Sequence, residues 1–192
     1  LESPSPADLQ AIYEGFLRVA RSPLPTVAAV NGPAVGAGMN LALACDVRVA
    51  GESARFESRF GRLGLHPGGG HTWLLVRAVG AEVAKAMVLF GLTLDAEDAH
   101  RRGLVWTTVP DAELLDAARE VATRAAGHRD LAARLKATFA DMMSVPTHAE
   151  AVARELEPQL WSFAQPAFRE LLAKARSSLG NVPGDSSQLA SP

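Results

Sequence analysis

Residues Val27 to Val49 read VAAVNGPAVGAGMNLALACDVRV. The order is apolar strand, glycine-spaced turn, apolar helix, second apolar strand. Thr26 to Val30 has the unbroken apolar character of a strand in a parallel sheet covered on both faces. Asn31-Gly32-Pro33 is a turn. From about Gly36 to Ala44 the chain is apolar on nearly every side, the mark of a buried helix, and Asp46 to Ala50 returns to strand. A tight turn that opens a helix directs several unpaired backbone N–H groups at one point. Such a point suits a developing negative charge, a phosphate or an enolate oxygen.

Outward from this unit, Ser5-Pro6-Ala7-Asp8 has the form of a helix start, with Ser as N-cap and Pro at the first helical position. Leu9, Ile12, Phe16, Leu17 and Ala20 follow at helical spacing, so an amphipathic helix is expected over 7–21. Residues 51–72 read as loop with short strand pieces near Ala54–Glu57. Thr72–Val79 and Glu82–Phe90 read as helices closed by Gly80 and Gly91. Asp95 caps a short helix ending at Gly103, and Leu104–Val109 is a strand. Helices are then expected over roughly 111–126, 130–144 and 147–175, the last interrupted near Pro158. Strand and helix alternate first and helices alone follow, so the expectation is an α/β core over 1–126, a helical region over 127–176 and a disordered tail over 177–192. The apolar face from about residue 145 onward needs a partner, and a neighbouring subunit is the expected one.

Composition narrows the function classes. With 192 residues, 48% hydrophobic and 21% charged, the chain has enough apolar material for one domain with a substantial core. A formal net charge of −2 gives no reason to expect a nucleic-acid partner. The single cysteine, Cys45, rules out an intrachain disulfide framework and fits a reducing compartment. No apolar run reaches a membrane-spanning length, so a cytoplasmic protein is expected. The turn glycines, Gly32, Gly36 and Gly38, are spaced G-x-x-x-G-x-G, which does not match the dinucleotide fingerprint.

Three blocks, NGPAVGAGMNLALACDVRVAGESARF, RLGLHPGGGHTWLLVRAVG and AMVLFGLTLDAEDAHRRGLVWTTVP, together resemble the enoyl-CoA hydratase/isomerase (crotonase) superfamily. The resemblance covers most of residues 24–126, in order. It implies a crotonase-like spiral of ββα units with a helical C-terminal trimerisation region. It also implies an acyl-CoA thioester as substrate, coenzyme A entering only as part of it, and a homotrimer or homohexamer. Two backbone N–H groups polarise the thioester carbonyl in the family, and the second of them falls here on Ala37, between Gly36 and Gly38. Loss of one such donor typically costs ~10²–10³ in rate. The first donor is expected on an earlier loop, ahead of the helix at 7–21, so the chain is expected to be a fragment or a truncated member.

The sequence departs from the family at the two working carboxylates. One glutamate belongs three residues beyond the oxyanion donor, where this chain has Asn40. The other belongs at the start of the loop leading to Pro67-Gly68-Gly69-Gly70, where it has Phe60. Each proton-transfer partner is worth about 10²–10⁴ in rate. Asn40 can orient a water but cannot take its proton, so hydration by the usual pair is not expected.

The expectation is therefore an enzyme of this family with atypical acid–base residues, drawn from Ala37, Asn40, His66 and His71. Gly36, Gly38, Phe60, Pro67, Gly68 and Gly69 are expected to line the substrate, and no metal is expected. The alternative is a non-catalytic acyl-CoA-binding or scaffolding homologue. His66 and His71 also fit hydrogen-bonded loop histidines, Asn40 a buried amide satisfied by backbone, and Phe60 a pocket wall. Glu57 reads as solvated, Cys45 as packed, Asp46 as a backbone-bonding carboxylate, and Trp73 and Trp106 as core or interface.

Overall fold

The computed structural model describes residues 4–180. The chain divides into two compact units, Leu1–Lys136 and Ala137–Pro192. In the first, α1 (Pro6–Ala20) starts as its sequence dictates. Ser5 Oγ accepts from the Asp8 N–H while the Asp8 carboxylate accepts from the Ser5 N–H, so two otherwise unpaired donors are satisfied reciprocally.

Two three-stranded sheets make the α/β core. The first holds β1 (Val27–Val30), β3 (Val47–Gly51) and β6 (Thr107–Val109) in the order β1-β3-β6, all parallel. The second holds β2 (Pro33–Val35), β4 (Arg55–Glu57) and β5 (Leu94–Asp95), with β2 parallel to β4 and β5 antiparallel to it. Helix α2 (Ala37–Ala44) packs against α1, α3 (His71–Val88) and β2 and buries Met39, Asn40, Ala42, Leu43 and Ala44. The main core gathers Met39, Leu43, Phe56, Leu75, Met87 and Leu104 from α2, β4, α3 and the turn before β6. A smaller cluster joins Val49 to Leu114 and Ala118 of α5 (Leu114–Ala126). The architecture is of the α/β class expected from the sequence.

Several boundaries differ from the sequence reading. Pro33–Val35 is a strand, not the end of a turn; three residues are too few to show a period. Leu104 and Val105 are buried turn residues, so β6 begins only at Thr107. Helix α3 begins at His71 and ends at Val88, its two segments divided at Gly80, φ 76° and ψ 169°, as the sequence leads one to expect. A short helix, α4 (Ala96–Arg101), is capped by the Asp95 side chain.

Helix α6 (Arg129–Met142) leads into the second unit, where α7 (His148–Ala164) and α8 (Pro166–Gly180) lie. Pro158 does not interrupt α7; the break comes at Gln165, extended at ψ 138° as the residue before a proline prefers. Phe163 and Phe168 meet edge to face across that break at 5.1 Å. Helix α8 runs on to Gly180, past the point where the tail was expected to begin. The remainder of that expected tail, 181–192, lies outside the described residues. No helix among the described residues is long and apolar enough to cross a membrane.

Candidate active site

The site is built on the carboxyl ends of β2 and β4. These strands are parallel, with Val35 opposite Glu57, and the ladder continues one step further as the Gly36 N–H donates to the Glu57 carbonyl at 3.0 Å. Gly36 then turns the chain at φ 52° and ψ −113°, a conformation that a side chain would strain. Ala37 follows as the first residue of α2, so its N–H has no partner within the helix. Gly38 is exposed, and a Cβ placed there would meet nothing within 4 Å. The fold does not require glycine at this position; its bareness leaves open space beside the start of α2.

Beneath this turn lies a closed polar cluster. Asn40, Ser58 and His71 are 2%, 1% and 1% exposed. Asn40 Nδ2 donates to the Gly68 carbonyl at 3.1 Å, which turns Asn40 Oδ1 towards His71 Nδ1 at 2.7 Å. That oxygen can only accept, so the His71 proton sits on Nδ1. The bare Nε2 then accepts from Ser58 Oγ at 2.8 Å. One backbone carbonyl thus sets the direction of three hydrogen bonds. Burial pulls the imidazole down from 6.5 to about 4, because low-polarity surroundings disfavour its charged form. His71 is neutral at physiological pH.

Phe60 roofs the cluster. Its ring stands edge-on to His71 with centroids 5.0 Å apart, and its Cζ lies 3.7 Å from where a Gly36 Cβ would be. Asn40, Phe60 and His71, chosen separately from the sequence, are therefore neighbours. His66 is not part of the group. It is exposed on the loop, with Nδ1 2.7 Å from the carbonyl of Pro67. Gly68 and Gly69 face α1, where a Cβ on the first would overlap the Tyr13 hydroxyl and on the second the Phe16 ring. Close packing of this loop under α1 is thus one reason for its glycines.

The sequence reading missed two features. Ser58 carries no spacing or composition signal. Glu57 is not solvated but 7% exposed. Arg59 grips it through Nη2 at 2.7 Å and Arg62 through Nη1 at 3.2 Å. The Arg59 hydrogen bond, ahead of the Coulombic pull of both guanidiniums, holds the Glu57 carboxyl below the usual range. Its only sequence signal is the E-x-R-x-x-R spacing.

Other residues have plain structural roles. Asp46 Oδ2 accepts from the Thr26 N–H, the Thr26 hydroxyl and Lys136 Nζ. Burial pushes the Cys45 thiol up, which disfavours the reactive thiolate. Trp73 and Trp106 are exposed, so neither is a core residue, and Arg77 lies over the Trp73 ring at 3.7 Å. A cavity of about 330 Å³ lined by Arg48, His100 and Trp106, among others, contains none of the candidate residues. The described residues hold no group of three His, Cys, Asp or Glu side chains placed to bind a metal.

Comparison with known proteins sets this geometry in context. Residues 7–172 match the enoyl-CoA hydratase/isomerase family. A probable enoyl-CoA hydratase of Mycobacterium tuberculosis is 48% identical over 179 residues, covering 90% of this chain and 69% of that protein. The 1,2-epoxyphenylacetyl-CoA isomerase of Escherichia coli is 46% identical over 105 residues, covering 55% of this chain and 40% of that protein. The crystal structure of a probable enoyl-CoA hydratase/isomerase from Mycobacterium abscessus superposes with a TM-score of 0.84 at 32% identity, covering 93% of this chain and 69% of that one. Relatives of nearly equal identity thus carry names of different reactions, and identity alone does not select one.

Proposed function

We propose, since this chain belongs to the enoyl-CoA hydratase/isomerase family, that it is an enzyme that binds an acyl-CoA thioester with the carbonyl oxygen at the Ala37 N–H. The observation that carries this reading is the pairing of Gly36 and Gly38. The first has a backbone conformation that demands glycine. The second is glycine without steric need, although glycine costs about 0.5–1 kcal/mol relative to alanine inside a helix. A ligand approaching the N-terminus of α2 accounts for both, and the partial positive charge there favours an oxyanion or enolate.

Acid–base work falls to the His71–Asn40 pair in place of the usual glutamates. Asn40 fixes the tautomer and orientation of a neutral imidazole. His66 is the exposed alternative on the same loop. Phe60 closes the site and Pro67, Gly68 and Gly69 shape its wall. Coenzyme A takes part only as a portion of the substrate, with no separate cofactor. A homotrimer or homohexamer is the assembly that fits the apolar side chains exposed on α6 and α7, among them Leu135, Phe139, Leu156, Leu160 and Phe163. Sedimentation analysis tests that assembly directly.

A second reading, an acyl-CoA-binding member without catalysis, is favoured by one observation. Asn40, Ser58 and His71 satisfy one another, so the cluster is also stable as structure alone. An ultraviolet difference spectrum with acetoacetyl-CoA, with calorimetry alongside, separates the outcomes. A bound enolate absorbs where the keto form does not, and such a band supports polarisation at Ala37. Binding without the band favours the scaffold, and absence of binding overturns both readings.

A further inference from the structure

The Ser58–His71–Asn40 chain ends in a hydroxyl. Both ring nitrogens of His71 are engaged inside the cluster, as are both polar atoms of Asn40. The Ser58 hydroxyl, whose proton is directed at His71 Nε2, keeps a lone pair to offer beyond it. A hydroxyl held by a neutral imidazole whose second nitrogen is fixed by an amide oxygen is the arrangement that activates a nucleophile.

Two further observations place that hydroxyl at the chemistry. Gly36 and Ser58 are the next residues along parallel neighbours β2 and β4, which strand spacing sets about 4.8 Å apart. The hydroxyl and the Ala37 donor therefore share one end of the sheet. The chain also turns sharply just past the serine. Arg59, a non-glycine residue, sits at φ 54°, and the Phe60 N–H donates to the Ser58 carbonyl at 2.7 Å. A 3₁₀ turn over Gly61–Leu63 follows. This strained tight turn ends β4 directly after the serine and fixes how Ser58 meets His71, and the Glu57–Arg59 ion pair holds it.

We propose that Ser58 is the nucleophile of a thioester-cleaving reaction at this site, with His71 as its base, Asn40 as the group that orients the base, and Phe60 as a movable roof. The proposal rests on the reading that the thioester binds at Ala37. In the first step the Ser58 Oγ–carbon bond forms and the carbon–sulfur bond breaks. The serine proton passes to His71 Nε2 and on to the leaving sulfur, releasing free thiol and leaving an ester on Ser58. In the second step water attacks that ester and gives its proton to His71, which returns it to Ser58 Oγ as the carboxylic acid departs. The Ala37 N–H stabilises the oxyanion in both steps. With the cluster closed by Phe60 at rest, the ring must swing aside before the thioester reaches Oγ.

The test incubates the full chain with acetyl-CoA and with acetoacetyl-CoA. Free thiol is followed with a chromogenic reagent, and acid-quenched samples are read by intact mass and peptide mapping. The expected result is thiol release with an acyl adduct on Ser58. S58A should lose both, by roughly 10⁴-fold or more, and N40A should slow release by a smaller factor. F60A should speed adduct formation. Because S58A leaves a buried imidazole nitrogen unpaired, S58C is the second variant; it should keep the adduct, as a thioester at the same position. Wild-type protein that gives the enolate band yet releases no thiol overturns the Ser58 proposal alone. Wild-type protein that binds neither thioester overturns it together with the reading at Ala37. Thiol release that persists in folded S58A also overturns it.

Discussion

Asn40 and His71, 31 residues apart in sequence, share a 2.7 Å hydrogen bond that fixes the imidazole proton on Nδ1. Asn40 is a neutral side chain, 2% exposed. Its amide does what a carboxylate would do for orientation without adding a charge. Burial keeps the imidazole neutral, and its Nε2, not residue 40, carries the lone pair turned towards Ser58 Oγ.

The first prediction concerns pH. Above 6.5, His71 is neutral in both folded and unfolded chains and contributes no pH dependence. Below that value the unfolded chain takes up a proton that the folded one refuses until about pH 4. The unfolded state then binds more protons, so stability falls as pH drops from 6.5 towards 4 and levels off below. The full loss should be about 3 kcal/mol. Urea denaturation at a series of pH values should show it, and H71Q should flatten that part of the curve.

Charge at residue 40 should undo the arrangement. N40D replaces the neutral acceptor with a carboxylate facing His71 Nδ1, which favours the imidazolium. The His71 titration, at about 4 in the native protein, should move upward. Nuclear magnetic resonance of the ring protons reads the shift; an unmoved titration would break the link between these two side chains.

G38A should change stability and binding in opposite directions. The Cβ meets nothing in the protein, and alanine is the better helix former by about 0.5–1 kcal/mol. The melting temperature should rise while acyl-CoA affinity falls. A rise in both would show that the open space beside α2 is not used by ligand.

G36A should lower both. Its Cβ would be only in ordinary contact with Phe60, so the cost is backbone strain at φ 52°, about 1–3 kcal/mol. Denaturant midpoints and calorimetric affinity measure the two effects.

Loosening the turn behind Ser58 should act at a distance. E57Q removes the charge that Arg59 and Arg62 grip and releases the positive-φ turn at Arg59. Turnover of thioester should fall although residue 57 makes no contact with Ser58 Oγ in the relay. The native ion pair contributes stability above the ordinary glutamate range that is lost as pH falls through the depressed Glu57 value, so E57Q should show a weaker acid limb.

The amino-acid sequence by itself determined the capped start of α1, the order β1, α2, β3 though not the short strand β2 within it, and the glycine turn that makes Ala37 the first residue of a buried helix. Those features are local: a cap needs residues three apart, a helix face repeats within a turn, and Gly36 states its own backbone demand. Asn40, Phe60 and His71 were legible as candidates but not as neighbours. The tertiary structure decided that Ser58 bonds His71, that Glu57 is buried between two arginines, and that Gly68 offers its carbonyl to Asn40. Each of these depends on how β4, α2 and the start of α3 converge. Side chains brought together by packing across the chain carry no period and no fixed spacing, so only the folded arrangement reveals that the site's polar groups form one directed chain ending in a hydroxyl.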